Sequence, residues 1–293
     1  MARDAFNIVF IEPPQFRFPG IFNDLAGLLK LSLESLGYSV ETNRNRLSPR
    51  RINLLLGYHM MSEPVFRLLR GVRWIPYQLE QLKLDEKTPG FDYCLDILAQ
   101  ANEVWDLDLG NIAYLRSKGI EAVRHVPIGF HPSMRTIVPA VNPDIDVLHY
   151  GVLGKRRSDI LTSLSQKCQL RVGSGFGADR DRLISRSKIV LNLHRYEGGL
   201  LEQVRISHLL NNGVCVVSED AHDNPYADIL PTVPYDQLID RCLQLLADEE
   251  ARRQLAEDSA QRFSRMPMTE ILSKFLKDPA QVAESTAVTR GEN

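Results

Sequence analysis

The chain has 293 residues, about twice the length of a typical domain, and 44% of them are hydrophobic, so two domains with separate cores are expected. Its 35 Lys and Arg residues nearly balance its 37 Asp and Glu residues, which gives no electrostatic reason to expect nucleic acid as the main partner. No apolar run approaches the ~18 residues of a transmembrane helix, and no signal-peptide region follows Met1. We therefore expect a cytoplasmic protein without a transmembrane segment, at most peripheral to the inner membrane.

Residues 1–139 alternate buried strands with amphipathic helices, the pattern of a parallel α/β sheet. The first strand leads through a proline-containing loop into a leucine-rich helix that ends at Gly37, as a left-handed C-cap residue does. Prolines between 127 and 143 interrupt the alternation, so the domain boundary is placed after residue 139. Strands are predicted at 7–11, 38–42, 52–58 and 73–76, from 104 onward, and at 122–126.

Polar residues follow three of these strands and predict the acceptor side of a site. Glu12 and Gly20 lie in the loop after the first strand, His59 follows the strand at 52–58, and Gln78 and Glu80 follow the next. Open parallel sheets bind ligands at the carboxyl ends of their strands. His59 has the pKa range of a catalytic base, with Glu80 and Glu12 as alternatives. We predict His59 and Glu80 as catalytic residues and the other three as acceptor-side residues; a structural role for His59 is the competing interpretation.

A second α/β series is predicted over residues 140–264. Its most regular part is the stretch 188–219, which runs strand, polar turn, amphipathic helix, Gly213 as helix stop, and second strand. Residues 265–279 are predicted to form a C-terminal helix that packs on the first domain, and the polar residues 280–293 a disordered tail. The remaining predictions are strands at 146–150 and 170–172 and helices at 158–165, 179–187, 235–246 and 249–263.

Two glycine-containing turns of the second domain are candidate anion sites. Gly151 opens the turn GVLGKRR, which combines two glycines and three cations at a helix start, where free N–H groups favour an anion. Lys155 or Arg156 is predicted to bind a diphosphate; a solvated basic turn is the alternative, and the ending of a Walker loop is absent. Ser174 lies in the glycine-rich turn 173–177, which can bind a base or phosphate or can be a tight turn without a ligand.

The polar turn within the stretch 188–219 supplies further candidates. His194, Tyr196 and Glu197 follow the carboxyl end of a strand, where ligands bind to parallel sheets. Glu202 lies in the first turn of the next helix, and Arg205 follows three residues later on the same face. We predict that all five bind the donor substrate, the molecule that carries the diphosphate. An ordinary surface ion pair between Glu202 and Arg205 is the alternative.

Five segments carry a family pattern: residues 103–106 (EVWD), 125–130 (HVPIGF), 146–151 (DVLHYG), 188–194 with Glu197, and 213–219. Together they resemble bacterial family 1-like glycosyltransferases of the GT-B fold. The resemblance implies two Rossmann-like domains with parallel sheets that face each other across a cleft, with a nucleotide-sugar donor on the second domain. It also implies a hydroxyl acceptor on the first domain, whether glycan, lipid-linked or a small molecule. Many members carry a pair of glutamates before the glycine of the last strand, and His208 stands at the second position here.

These observations predict a metal-independent glycosyltransferase that needs no cofactor. Asp106-Leu107-Asp108 and Asp144-Ile145-Asp146 fit the DxD pattern of metal-dependent relatives, but the first begins a helix, which its aspartate can cap, and the second precedes a strand. The four cysteines are scattered without zinc-site spacing. Two alternatives stay open: a catalytically impaired partner protein that binds nucleotide sugars, and a sugar-nucleotide epimerase of the same fold.

Overall fold

The computed structural model describes residues 5–82 and 91–276, which belong to two compact units. The first unit takes in the chain up to Pro127 and again from Met268, and the second is Ile128–Pro267. The strands are β1 (Ala5–Phe10), β2 (Ser39–Arg44), β3 (Ile52–Leu56), β4 (Trp74–Gln78), β5 (Val104–Asp106), β6 (Val123–His125), β7 (Ile145–Tyr150), β8 (Leu170–Gly173), β9 (Ser187–Asn192), β10 (Val216–Glu219) and β11 (Thr232–Val233). The α-helices are α1 (Asn23–Ser35), α2 (Glu63–Arg67), α3 (Phe91–Ala99), α4 (Leu109–Ser117), α5 (Lys155–Ser165), α6 (Ala178–Ser185), α7 (Gln203–Asn211), α8 (Leu238–Ala247), α9 (Glu249–Phe263) and α10 (Met268–Ser273).

The chain changes unit at Pro127, earlier than the predicted boundary after residue 139. Hydrogen bonds of the proline-containing segment explain the difference. The Tyr226 hydroxyl donates to the Ile128 carbonyl over 2.6 Å. The Phe130 N–H donates to the carbonyl of Met266 over 2.9 Å. Backbone groups just after the boundary are thus satisfied within the second unit, which a local sequence pattern does not reveal.

The first unit is built on one parallel sheet in the order β2-β1-β3-β4-β5-β6. The five residues of β3 and of β4 are all buried, as expected for central strands covered on both faces, whereas β2 lies at the edge and is largely exposed. Helix α10 packs against α1, and Phe275 just beyond it meets Trp105 edge-on with ring centroids 5.3 Å apart. This end of the chain therefore completes the core of the first unit.

The second unit is a parallel sheet in the order β11-β10-β9-β7-β8. Two apolar clusters lie on its faces, since alternate residues of a strand point to opposite sides. Val147 belongs to one cluster and Leu148 to the other. The predicted class, α/β with two Rossmann-like units and parallel sheets, is confirmed.

The stretch 188–219 forms the predicted strand, turn, helix and strand. Gly213 has φ +66°, a left-handed conformation that side chains adopt rarely, and it ends the helix as predicted. One detail of the prediction is wrong: Glu202 is not in the first helical turn but is the residue before Gln203, where α7 begins. Within the described residues, the helices lack the combined length and apolar character that spanning a bilayer requires. The predicted tail at 280–293 lies outside the described residues.

Candidate functional site

The carboxyl edge of the second sheet carries a positive helix end. After β7, residues 151–154 form a short loop, and α5 begins at Lys155 with Gly154 as its N-cap. No side chain caps this helix, so its first N–H groups remain available. The aligned peptide dipoles add partial positive charge at the same place. An anion is the ligand that this geometry favours.

Arg156 is held in place by a carboxylate and an aromatic ring. Its guanidinium forms a forked ion pair with Glu219, in which Nη1 donates to Oε2 over 2.6 Å, and lies 3.9 Å from the centre of the Tyr235 ring. The Tyr235 hydroxyl donates to the Arg156 carbonyl over 2.7 Å. The hydrogen bond that Arg156 donates to Glu219 raises the pKa of Arg156. This predicted diphosphate ligand is therefore already paired within the protein.

Arg157, which the sequence analysis passed over, is the buried anchor of the same helix. Its Nε and Nη2 donate to the Leu193 carbonyl over 3.0 and 2.7 Å, and Nη1 donates to the Val152 carbonyl over 2.7 Å. Nη2 also lies 3.0 Å from Glu202 Oε1. Burial, and after it the neighbouring Arg205 charge, lowers the pKa of Arg157. The side chain thus ties the loop after β7 to the end of β9.

Both carboxylate oxygens of Glu202 are occupied by protein donors. Oε1 accepts from Arg157, and Oε2 accepts from the Asn192 amide at 2.9 Å and lies 3.1 Å from Nδ1 of His194. Burial alone would raise the pKa of Glu202, but the His194 hydrogen bond and the charge of Arg205 lower it to about 2. Glu202 is therefore ionised, and its carboxylate holds Arg157, Asn192 and His194 in place. Its predicted contact with a donor is not tested and stays a prediction.

His194 joins the end of β9 to the end of β10. Its backbone N–H donates to Glu219 Oε2 over 3.0 Å, and its ring Nε2 lies 3.0 Å from the Asp220 carbonyl. The side chain is only 1% exposed. Burial opposes a charged ring, but hydrogen bonding to Glu202 and the charges of Glu202 and Glu219 raise the pKa of His194. His194 and Glu202, both predicted, are thus brought together with Glu219, which the prediction missed.

Arg205 places a guanidinium at this edge between an amide and an aromatic ring. Its Nη1 donates to Asn192 Oδ1 over 2.8 Å, and its guanidinium lies 5.1 Å from the Tyr150 ring centre. Within residues 5–82 and 91–276 it makes no ion pair. A Cβ added to Gly151, which has φ +129°, would lie 2.8 Å from Arg205 Nη2. The glycine therefore lets the guanidinium approach the backbone of the loop that leads into α5.

Four predicted donor residues lie outside this network. Lys155 is exposed and pairs with Asp159 one turn along the helix, at 3.0 Å. Tyr196 and Glu197 are exposed in the loop after β9, and Ser174 lines a separate cavity of about 460 Å³ beside α6. The structure does not bring these side chains together with Glu202 or Arg205, and their roles stay predictions.

His208, at the position where the sequence resemblance implied a glutamate, is buried between two helices. Its Nε2 lies 3.0 Å from Asp181 Oδ1 and 2.9 Å from Arg180 Nη2. The hydrogen bond from His208 and the charge of Arg180 outweigh burial and lower the pKa of Asp181. These contacts connect α6 with α7, which fits a structural side chain on a helix face.

The carboxyl edge of the first sheet brings together three predicted residues. His59 Nε2 lies 3.7 Å from Glu80 Oε1, with the side chains 29% and 45% exposed. Gln78 accepts from the Tyr58 hydroxyl at 3.2 Å and donates to the Glu80 carbonyl at 2.6 Å. The Asn111 amide donates to that same carbonyl over 2.8 Å. A titratable pair therefore sits on a frame of neutral amides.

The other candidates of the first unit have different surroundings. Glu12 pairs with Arg44, and Gly20 is buried with φ +99°. Burial raises the pKa of Asp106 well above its usual value, while Asp108 accepts from the Asn111 N–H and caps α4, as the sequence suggested. Across the described ranges, no three His, Cys, Asp or Glu side chains form a group arranged to hold a metal ion.

Solved structures resemble this chain over nearly its whole length. Anabaena HepE in complex with UDP and glucose gives a TM-score of 0.61 at 11% identity and covers 96% of this chain and 99% of its own. An α-glucosyltransferase in complex with UDP and a 13-mer DNA containing a HMU base gives 0.63 at 8% identity, with 90% and 96% covered. T4 phage β-glucosyltransferase gives 0.59 at 9% identity, with 92% and 98% covered.

The chain has the GT-B fold. This confirms the fold that the sequence resemblance implied, and the low identities restrict the comparison to fold. No protein-family model matches the chain. Two uncharacterized proteins of Acanthamoeba polyphaga mimivirus match parts of it, one at 28% identity over 160 residues, or 49% of this chain, and one at 30% over 101 residues, or 32%. The chain spans 50% and 36% of the length of these curated relatives.

Proposed function

We propose that this protein transfers a sugar from a nucleotide-sugar donor to a hydroxyl acceptor. The observation that carries the proposal is the guanidinium of Arg205, which makes no ion pair among the described residues and lies beside Gly151, in the loop that leads to the uncapped start of α5. The GT-B fold supports it, because HepE and the α-glucosyltransferase of the same fold were crystallised with UDP. The diphosphate of the donor is assigned to the carboxyl edge of the second sheet.

The chemistry of the leaving group fits these residues. When the bond between the sugar and the diphosphate breaks, negative charge grows on the diphosphate oxygens. Arg205 and the N–H groups of α5 supply positive charge that is already oriented, so it stabilises the transition state without reorganisation. Asn192 and Tyr150 restrict the guanidinium, and its planar fork matches phosphate geometry better than a lysine would. The proposed site needs no metal ion.

On the acceptor side, His59 and Glu80 are the proposed acid–base pair. Transfer requires a group that removes the proton of the acceptor hydroxyl as the new glycosidic bond forms. Both side chains are partly exposed and can meet a substrate. A base placed within hydrogen-bond reach of that hydroxyl contributes about 10²–10⁴-fold to the rate. Gln78, fixed through Tyr58, positions the Glu80 backbone.

Thermal unfolding with UDP-, GDP-, ADP-, CMP- and dTDP-sugars, in the presence of EDTA, tests the donor site. One nucleotide class is expected to stabilise the protein, because a ligand that binds the folded state raises its stability. Arg205→Ala should weaken that nucleotide about tenfold or more, as expected for a lost charge-assisted hydrogen bond. Arg116→Ala, at an exposed arginine in the last turn of α4, is the matched control and should change nothing. The assignment would be contradicted if both variants lost the same nucleotide affinity, or if no nucleotide sugar raised the unfolding temperature of the wild type.

Turnover separates this proposal from the two alternatives. Transfer to an acceptor supports it. Change of the donor sugar without an acceptor favours the epimerase, whose fold a Listeria monocytogenes protein described as a putative UDP-N-acetylglucosamine 2-epimerase shares at a TM-score of 0.52. Tight binding with no turnover across donors and acceptors favours the impaired binding partner.

A further inference from the structure

His194 places both ring nitrogens against oxygen atoms that only accept hydrogen bonds. Nδ1 lies 3.1 Å from Glu202 Oε2, and Nε2 lies 3.0 Å from the Asp220 backbone carbonyl. A neutral imidazole donates from one nitrogen and would turn the lone pair of the other toward an oxygen. Because the side chain is 1% exposed, water does not substitute for either contact. Only the imidazolium satisfies both oxygens.

The surrounding charges favour the same protonation state. Glu202, with a pKa of about 2, remains a carboxylate and supplies no proton of its own. Glu219 adds a second negative charge and accepts from the His194 N–H. Arg156 and Arg157 oppose the charged ring by repulsion, but each is itself paired with one of these two glutamates. The hydrogen bond and charges of the carboxylates outweigh burial and raise the pKa of His194.

We propose that His194 is a positioning residue that acts as a buried imidazolium: it holds Glu202 and the backbone after β10, and through Glu202 it fixes Arg157 and Asn192. Asn192 in turn orients Arg205, the proposed diphosphate contact. The ring itself does not touch the ligand. The role in ligand binding rests on the proposed function, whereas the charge on the ring does not.

This assignment gives a defined pH dependence. The folded-state pKa of His194 lies above its ordinary value of 6.5, so the ring holds its proton to a higher pH than an ordinary histidine and loses it as the pH rises through the folded pKa. Loss of the proton turns a lone pair toward either Glu202 or the Asp220 carbonyl. Glu202 stays ionised throughout this range. Affinity for the diphosphate is therefore expected to fall on the alkaline side.

The charge is tested on the ligand-free protein by long-range ¹H–¹⁵N NMR of the histidine rings. At pH 6.5, the ordinary histidine pKa, the doubly protonated His194 ring should predominate, and its titration midpoint should lie above that pH. Glu202→Gln should lower that pKa, because the partner loses its charge. His222, whose side chain is 87% exposed, is the internal reference, and Glu202→Gln should leave its ring signals unchanged. A singly protonated His194 ring at pH 6.5 would overturn the proposal.

The positioning role is tested with UDP as the probe, by calorimetry at pH 6.5 and at about pH 9. Wild-type affinity should be about tenfold lower at the higher pH, since one charge-assisted hydrogen bond is lost. The amide of His194→Gln carries its donors on one nitrogen only, so it cannot replace both donating ring nitrogens. This variant should therefore bind UDP at both pH values about as weakly as the wild type does at the higher pH. His222→Gln should keep the wild-type profile. Equal UDP affinity in wild type and His194→Gln at pH 6.5 would overturn the role.

The two proposals fail in different ways. If both ring nitrogens are protonated but UDP and the other nucleotides do not bind, the donor site is wrong while the buried imidazolium stands. If nucleotides bind and Arg205→Ala weakens them, but the His194 ring is neutral, the donor site stands and the imidazolium is wrong. Thermal unfolding of His194→Gln without ligand confirms that the variant is folded before either comparison is made.

Discussion

The two sheets present polar residues at their carboxyl edges in opposite ways. In the second unit, Arg157 and His194 are buried and bond to Glu202 at 3.0 and 3.1 Å. In the first unit, His59 and Glu80 lie 3.7 Å apart and are partly exposed. A locked array of charges suits a ligand whose charge is constant, because it needs no reorganisation. An accessible titratable pair suits proton transfer.

The difference predicts what each edge loses when it is altered. Substitutions in the locked array should reduce folding stability, because they leave buried polar groups without partners. Substitutions in the accessible pair should leave folding intact and reduce catalysis.

Arg157→Ala should destabilise the second unit by about 3–5 kcal/mol, the usual cost of removing one partner from a buried ion pair. The substitution leaves Glu202 with one donor fewer and removes the hydrogen bonds to the carbonyls of Val152 and Leu193. Arg157→Lys should be intermediate, because lysine keeps the charge but not the planar fork. Urea unfolding, followed by a probe in the second unit, measures the change.

The control for that experiment is Arg253→Ala. Arg253 also pairs with glutamates, Glu250 and Glu257, but on the exposed face of α9, so its loss should leave the transition unchanged. If Arg157→Ala unfolds at the same urea concentration as this control, the ion pair contributes no stability and the second edge is not locked.

The importance of Arg157 was accessible from the sequence but hidden by its neighbours. Lys155, Arg156 and Arg157 look like one basic turn. Helical spacing, however, places position 157 in line with the buried residues Ile160, Leu161 and Leu164 of α5. The phase of the apolar stripe therefore identifies which of the three cations points inward.

Other features could and could not be predicted for equally physical reasons. The alternation of strands and helices predicted the parallel sheets. Strand ends predicted His59 and Glu80 as candidate bases of the first domain, and the structure places them 3.7 Å apart, because parallel strands end at one edge. Glu219 and Asn192 were missed as members of the second edge. They bond to residues distant in sequence, Arg156 and Arg205, and no local pattern encodes that pairing. The end of the first unit at Pro127 likewise depends on hydrogen bonds between residues far apart in sequence, from Tyr226 to Ile128 and from Phe130 to Met266.

His59→Ala should lower kcat about 100-fold while UDP affinity stays unchanged, since the proposed base takes no part in donor binding. Glu80→Gln should have a smaller effect if His59 is the base and a larger one if Glu80 is. His222→Ala, at an exposed histidine of the second unit, is the matched control. Steady-state transfer rates and calorimetry with UDP measure the two quantities. Full turnover in both His59→Ala and Glu80→Gln would place the base elsewhere.

Lys155→Ala should produce the smallest change in UDP affinity. It compares the exposed and the fixed cations at the carboxyl edge of the second sheet. Lys155 is 88% exposed and bonds only to Asp159 on its own helix, whereas Arg156, the next residue, is fixed by Glu219 and Tyr235. The alanine variant should therefore keep UDP affinity within about twofold, because an exposed and flexible ion pair contributes little. Arg156→Ala should weaken UDP more, since it leaves Glu219 as an unpaired carboxylate near the proposed diphosphate. Calorimetry could instead show that Lys155→Ala loses as much UDP affinity as Arg205→Ala. In that case the exposed lysine binds the diphosphate, and the buried charges beside it only support the fold.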